Sequence, residues 1–326
     1  MTSRVLALPG SEAFRPSPAA ILRQGRGEAK TILSRGSKSF ALAGLLLGRR
    51  ARDDAAVLYA WCRRADDWVD EACSGECGHA LQRLHGELDD LFEGRVCLPL
   101  DVALHELVGR RRIPKAYFLS LLDGFAMDAA GTSYSTLSEL DLYAYRVAGV
   151  VGLMMCHVLG VRDERCLKAA AHLGMAMQLT NIARDVVEDF ARDRQYLPVE
   201  LIPPVALREA LVAGNCEQPR SQPVATAVAA LLRRADAYYQ SGLSGLADLG
   251  WRDALAIGAA GRIYRAIGST IARRRFDVLL GRAVVSLPRK LFLALAALVG
   301  LIARIGRPSR DTKIPLLLVR FDDVQG

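Results

Sequence analysis

Gln178-Leu179-Thr180-Asn181-Ile182-Ala183-Arg184-Asp185-Val186-Val187-Glu188-Asp189 sets oxygen-bearing side chains at 181, 185 and 189 on an apolar background. Residues four apart in a helix lie on one face, one turn above each other. Asn181, Asp185 and Asp189 therefore point one way, with Gln178 one turn before them. A second stretch, Arg63-Arg64-Ala65-Asp66-Asp67-Trp68-Val69-Asp70, repeats the spacing with Asp66 and Asp70. Like charges so placed destabilise an isolated helix by roughly a few tenths of a kcal/mol per pair. A hard divalent cation bridging carboxylates to phosphate oxygens would offset that repulsion. Solvated surface faces, or salt bridges to Arg63, Arg64 and Arg184, account for part of the same pattern. The apolar and aromatic neighbours Tyr59, Trp61, Trp68, Phe190 and Tyr196 favour the metal. Asp67 and Glu188 fall about 100° and 80° off the ligand face, so they are expected behind it or paired with arginine.

Outward from these stretches the 326-residue chain reads as helix. Alanine, leucine and arginine dominate, and no alternating strand segment is bounded by hairpin signals. Polar loops break the pattern near 73–79, 93–99, 109–114, 130–137 and 214–223. Ser138 with Asp141 resembles a capping box ahead of Leu142–Leu159, and Ser286 before Pro288 reads as a helix start. Pro198, Pro203 and Pro204 are expected to end the helix that carries Asp185. The expected organisation is a poorly ordered start over 1–20, one all-helical domain over 21–310 and a tail over 311–326. Leu291–Ala303 is apolar throughout and too short to cross a bilayer. It fits either a core helix or a surface resting on a membrane.

The net charge of +8 suits anionic substrates or an acidic membrane surface, and equally an arginine-rich codon usage. Nucleic acid is not expected, since no reading motif accompanies the charge. The seven cysteines are an odd number with no secretory signal before them, which fits reduced thiols in the cytoplasm. Cys73 and Cys77 with His79 and His85 are too loosely spaced for a persuasive zinc site, and incidental cysteines in a loop fit better.

With those motifs in place, the sequence resembles the squalene and phytoene synthase family of head-to-head prenyl transferases. The matching stretches are Gly36-Ser37-Lys38-Ser39-Phe40, Leu58-Tyr59-Ala60-Trp61-Cys62-Arg63 running into Asp66–Asp70, Tyr143-Ala144-Tyr145-Arg146-Val147-Ala148-Gly149-Val150-Val151-Gly152, and Gln178 through Asp189 to Arg194-Gln195-Tyr196-Leu197-Pro198. Weaker matches follow at Arg262-Ile263-Tyr264 and Arg282–Ser286. The resemblance implies an all-α isoprenoid-synthase fold around a central catalytic cavity. By motif, Asp66, Asp70, Asn181, Asp185 and Asp189 would hold Mg²⁺, with Mn²⁺ as a substitute. Ser37, Ser39, Arg63, Gln178, Tyr264 and Arg282 would touch diphosphate or its surroundings. Tyr59, Tyr143 and Tyr196 would line the reaction site, and Val147 and Gly152 the prenyl tunnel. Each has a plainer structural role open to it: Ser37 and Ser39 as helix caps, Tyr59 and Tyr143 as core aromatics, Gly152 as a packing glycine. Two departures are visible: Asp193 stands where many relatives carry glycine, and Gly36 where some squalene-type relatives carry histidine.

The implied reaction joins two geranylgeranyl diphosphates through prephytoene diphosphate to phytoene, the first committed step of carotenoid biosynthesis. Inorganic diphosphate would leave and no NADPH would be needed. Squalene, dehydrosqualene or hydroxysqualene synthesis from farnesyl diphosphate is the alternative on the same scaffold. A non-catalytic membrane-associated assembly factor is a second alternative, and the intact acidic positions argue against it. The expected location is the cytoplasm with peripheral contact to the inner face of the cell membrane.

Overall fold

The computed structural model describes residues 17–72, 76–213 and 218–302. Among these the chain is helical and contains no strand. In chain order the helices are α1 (Pro18–Gly36), α2 (Lys38–Gly44), α3 (Arg49–Asp70), α4 (Cys77–Glu93), α5 (Pro99–Arg111), α6 (Lys115–Ala129) and α7 (Leu137–Ala144). They continue as α8 (Val150–Leu159), α9 (Glu164–Arg184), α10 (Val186–Phe190), α11 (Pro204–Ala213), α12 (Gln218–Ser244), α13 (Trp251–Arg273) and α14 (Leu287–Ile302). Residues 1–16 of the expected disordered start, Cys73, Cys216 and the tail over 311–326 lie outside the described residues.

Local chemistry sets most of these boundaries. Ser17 accepts a hydrogen bond from the Ala20 amide, with Pro18 in the first turn. Ser17 to Ala20 therefore begin α1, although the sequence placed them in a disordered start. Asp163 caps α9 through the Arg165 and Cys166 amides. Gly160 closes α8 at φ 81°, a conformation that costs glycine little.

Three expectations are corrected. The N-cap lies two residues earlier than Ser138: Thr136 Oγ1 accepts from the Glu139 amide, and Glu139 accepts from the amide of Ser135, one residue before the cap. Asp141 is instead buried and paired with Arg234. The run 142–159 is not one regular helix, because Tyr145–Gly149 forms a π-helical turn between α7 and α8. The helix of the second acidic stretch ends before any proline. α9 stops at Arg184, Asp185 takes φ −103° and ψ 17°, and α10 follows. The Asp185 amide still bonds Asn181 O and the Asp189 amide bonds Asp185 O, each at 2.8 Å, so the one-turn spacing survives the break.

α9 runs through the middle of the molecule against α8, α12 and α13. Its contact with α8 depends on missing side chains. A Cβ at Gly152 would sit 2.3 Å from Ala170 O, and one at Gly174 would sit 2.2 Å from Ala148 O. Against α12, the buried His172 ring places Nδ1 2.7 Å from Ser241 Oγ and packs beside Tyr238. α14 lays one face on α13, with Ala297 buried against Leu255 and Ala259. Its other face leaves Leu287, Leu291, Leu295 and Val299 exposed at four-residue intervals, with Phe292 beside them. Over its described part the helix is thus half core and half exposed surface.

Two stability predictions follow from this packing. Gly152→Ala forces a methyl group onto a backbone carbonyl and should cost about 1–3 kcal/mol, read as a lower urea midpoint at unchanged slope. Burial pushes the His172 imidazole down from its ordinary 6.5 to about 4. The unfolded chain then binds the extra proton between those values. This contribution is complete above pH 6.5 and is lost as pH falls towards 4, to a total of roughly 3 kcal/mol. His172→Gln should flatten the loss of urea midpoint between pH 7 and pH 4.5 relative to wild type.

Candidate active site

A cavity of about 460 Å³ opens between α3, α6, α8, α9 and α13. Tyr59, Arg63 and Asp66 reach it from α3, Asp128 from α6, and Gln178 and Asn181 from α9. Tyr143, Val147 and Gly152 line it along α7, the π-helical turn and α8, and Tyr264 closes it from α13. Away from these polar groups the wall is largely apolar, with Leu159, Cys166, Ala169, Leu249 and Ile257, and Arg52 of α3 is a further charged residue on it. Asn181 and Ala169 are twelve residues apart on α9, so the cavity follows that helix for about 18 Å. The hollow therefore has a polar end and a long apolar arm.

The acidic side chains of the two stretches are linked electrostatically, Asp66 to Asp70 and Asp185 to Asp189, with Arg194 acting on both Asp70 and Asp189. Asp70, Asp185 and Asp189 lie off the cavity wall, Asp189 beside a small second cleft shared with Arg194 and Tyr196. Asp66 and Asn181 are on the wall itself. Asp70, at the end of α3, accepts a hydrogen bond of 2.5 Å from Arg194, in the loop after α10. That contact ties the first acidic helix to the second. Asp185 accepts from Arg184 and from Arg282 Nε at 2.9 Å. Burial alone would raise its pKa, but the two guanidiniums outweigh it and hold the carboxyl below the ordinary range. Burial, then the neighbouring Asp70, pushes Asp66 up to about 6. Burial, then Asp185, pushes Asp189 up to about 7. Asn181 Oδ1 is buried without a hydrogen-bond partner. Among the described residues no three His, Cys, Asp or Glu side chains are clustered tightly enough to hold a metal unaided. The donors available are oxygens alone. An unpartnered amide oxygen beside carboxylates crowded enough to resist ionising fits a hard cation that also draws oxygen ligands from phosphate.

Of the residues expected at the diphosphate, Arg63, Gln178 and Tyr264 are on the cavity wall, and Ser37, Ser39 and Arg282 lie off it. Ser37 caps α2 through the Phe40 amide and acts on the Tyr264 hydroxyl electrostatically. Ser39 sits half-buried in the first turn of α2. The ring of Phe40 stacks on Tyr264 at 5.2 Å and meets Tyr59 edge-on at 6.2 Å. A Cβ at Gly36 would fall 2.4 Å from the Tyr59 hydroxyl, so that departure makes room for this tyrosine. Tyr143 and Tyr196 are stacked with centroids 5.1 Å apart.

The squalene/phytoene synthase family profile matches residues 33–289. The chain belongs to that family. It is 42% identical over 250 residues to a 15-cis-phytoene synthase of a Paracoccus species, a match covering 74% of this chain and 80% of the relative. A 15-cis-phytoene synthase of Enterobacter agglomerans is 39% identical over 273 residues, covering 80% of this chain and 91% of the relative. Among solved structures, a dehydrosqualene synthase superposes with a TM-score of 0.79 at 28% identity, over 88% of this chain and all of that one. A squalene synthase of Alicyclobacillus acidocaldarius gives 0.70 at 22% identity, over 78% and 96% of the two chains, and speaks for the fold alone. The all-α isoprenoid-synthase fold is that of the family.

Within this family site, Asp67 pairs with Arg63 through Arg63 Nε at 3.0 Å, and the exposed Glu188 lies near Arg184. Asp193 takes φ 56°. Glycine favours that left-handed region and aspartate tolerates it better than most residues, so the turn survives the substitution. Sequence reasoning missed Asp128 and Tyr134. Asp128 accepts hydrogen bonds from Tyr196 at 2.7 Å and Tyr143 at 2.9 Å, and Tyr134 packs on both tyrosines. The other acid of α6, Asp123, is five residues away, so Asp128 carries no same-face spacing signal. Its only mark is the improbability of a carboxylate among Leu121, Leu122 and Phe125. Cys77 and His85 bond only backbone carbonyls nearby, and neither approaches the cavity wall.

Proposed function

We propose that this family member condenses two geranylgeranyl diphosphates head to head, through prephytoene diphosphate, to phytoene, the first committed step of carotenoid biosynthesis. The observation that carries this reading is the union of a carboxylate- and arginine-lined end with an apolar arm in one cavity. A diphosphate fits the first and an isoprenoid chain the second. The likeness to relatives named phytoene synthase supports the twenty-carbon substrate.

Asp66, Asp70, Asn181, Asp185 and Asp189 would hold Mg²⁺, or Mn²⁺ in its place. Such an ion neutralises charge on the departing diphosphate and so assists ionisation. Arg63 and Arg282 add fixed positive charge, and Gln178, Ser37, Ser39 and Tyr264 supply hydrogen bonds around the leaving group. The faces of Tyr59 and Tyr143 steady the allylic cation left behind, with Tyr196 stacked behind Tyr143. Val147 and Gly152 bound the prenyl chain. The largely apolar wall keeps water from the cations until the double bond of the second substrate attacks. A second ionisation, rearrangement and proton loss complete phytoene without a reductant.

A fifteen-carbon reading is favoured by the dehydrosqualene synthase likeness. The arm of the cavity, rather than the acidic end, separates the two. Incubation with farnesyl and geranylgeranyl diphosphates separately, with extraction of the products, decides between them. The expected product is forty-carbon, and a thirty-carbon product alone defeats the proposal. Asp185→Ala should lose nearly all turnover, more than 10²-fold by the usual scale of transition-state charge stabilisation. Unchanged turnover would favour an assembly factor.

Peripheral contact with the inner face of the cell membrane belongs to the same proposal. It is supported by the exposed stripe of α14 and by Lys290 on that helix. The other long apolar stretch, Leu137–Leu159, has a mean hydropathy of 1.5 but is 56% buried and forms cavity wall, so it is read as core. Low-salt fractionation should leave a membrane-bound fraction whose activity responds to added lipid. A wholly soluble protein indifferent to lipid would contradict this.

A further inference from the structure

The carboxylate of Asp128 is the one acidic group of the cavity wall that stands outside both acidic stretches. Oδ1 accepts from Tyr196 at 2.7 Å and Oδ2 from Tyr143 at 2.9 Å. The two phenol oxygens lie 3.3 Å apart. Each phenol has a single proton, and both protons are directed at Asp128. The rings are thereby fixed face to face, with 26° between their planes. Three separate segments meet at this carboxylate: α6, α7 and the loop after α10. Arg194 acts on Asp128 electrostatically but gives its hydrogen bonds to Asp70. Asp128 is thus answered at close range by hydroxyls rather than by a guanidinium.

We infer that Asp128 is a positioning residue that holds the cavity-lining ring of Tyr143 against the carbocations of the reaction, with Tyr196 stacked behind it, and makes that ring more electron-rich. A phenol donating to a carboxylate carries more negative charge on its oxygen and ring, and a cation over the ring face is attracted accordingly. An anion fixed in advance needs no reorganisation when positive charge develops. The inference rests on the proposed cation chemistry but not on the length of the prenyl chain. A purely architectural role, tying three segments together, would leave the product distribution untouched.

Asp128→Asn keeps the size and removes the charge. It is compared with wild type on whichever of the two allylic diphosphates wild type turns over, so failure of the twenty-carbon reading leaves the comparison legible. The expected result is a kcat lower by about 10²-fold with KM changed less than about threefold. Alcohols formed by water capture should take a larger share of the product, and the melting temperature should stay close to wild type. Placed in a Tyr143→Phe/Tyr196→Phe background, Asp128→Asn should add little further loss, since the effect passes through the two hydroxyls. Wild-type kcat and product distribution in Asp128→Asn would overturn the inference, as would full additivity with the tyrosine pair. If Asp128→Asn does not fold, the double tyrosine variant decides. Raised water capture there supports the inference, and an unchanged product distribution overturns it.

Discussion

Everything in this molecule answers to the mutual repulsion of carboxylates at one end of an apolar hollow. Asp66, Asp70, Asp128, Asp185 and Asp189 would each prefer water or a cation. Two are raised to about 6 and 7 because burial and a like-charged neighbour oppose ionisation. The protein meets the repulsion with arginines: Arg194 on Asp70 and Arg282 on Asp185 come from distant parts of the chain, and Arg184 adjoins Asp185 in sequence. These contacts fasten the ends of α3 and α9 to the loops after α10 and α13. Electrostatics at the site is therefore also architecture, and removing a partner from such a pair is more costly than never having built it.

The opposite end of the cavity is governed by shape. α8 and α9 approach until backbone touches backbone, which Gly152 and Gly174 allow. Helices brought this close leave little room for side chains between them, and the space for a ligand lies to one side of the contact. Gly152 serves both purposes at once, as a packing residue and as part of the cavity wall.

Much of this was legible in the sequence because repulsion leaves a periodic trace. Acids four apart on apolar helices mark Asp66, Asp70, Asp185 and Asp189, and the serine cap at Ser37 was equally visible. The break at Asp185 was not, since a helix that stops and restarts with its i→i+4 bonds intact keeps the same spacing of side chains. The π-helical turn left no mark either, because Arg146 alone in a mostly apolar run does not reveal a slipped register. Asp128 was hidden for a third reason. Its partners are 15 and 68 residues away, and a contact of that range has no local pattern.

The π-helical turn of Tyr145–Gly149 carries one residue more than a regular helix would. Shortening the segment by that residue would tidy the backbone and yet swing everything beyond it by about 100°, carrying Gly152 away from Ala170. Length here is as binding as composition: this wall of the cavity tolerates exchanges of side chain better than it tolerates an insertion or a deletion.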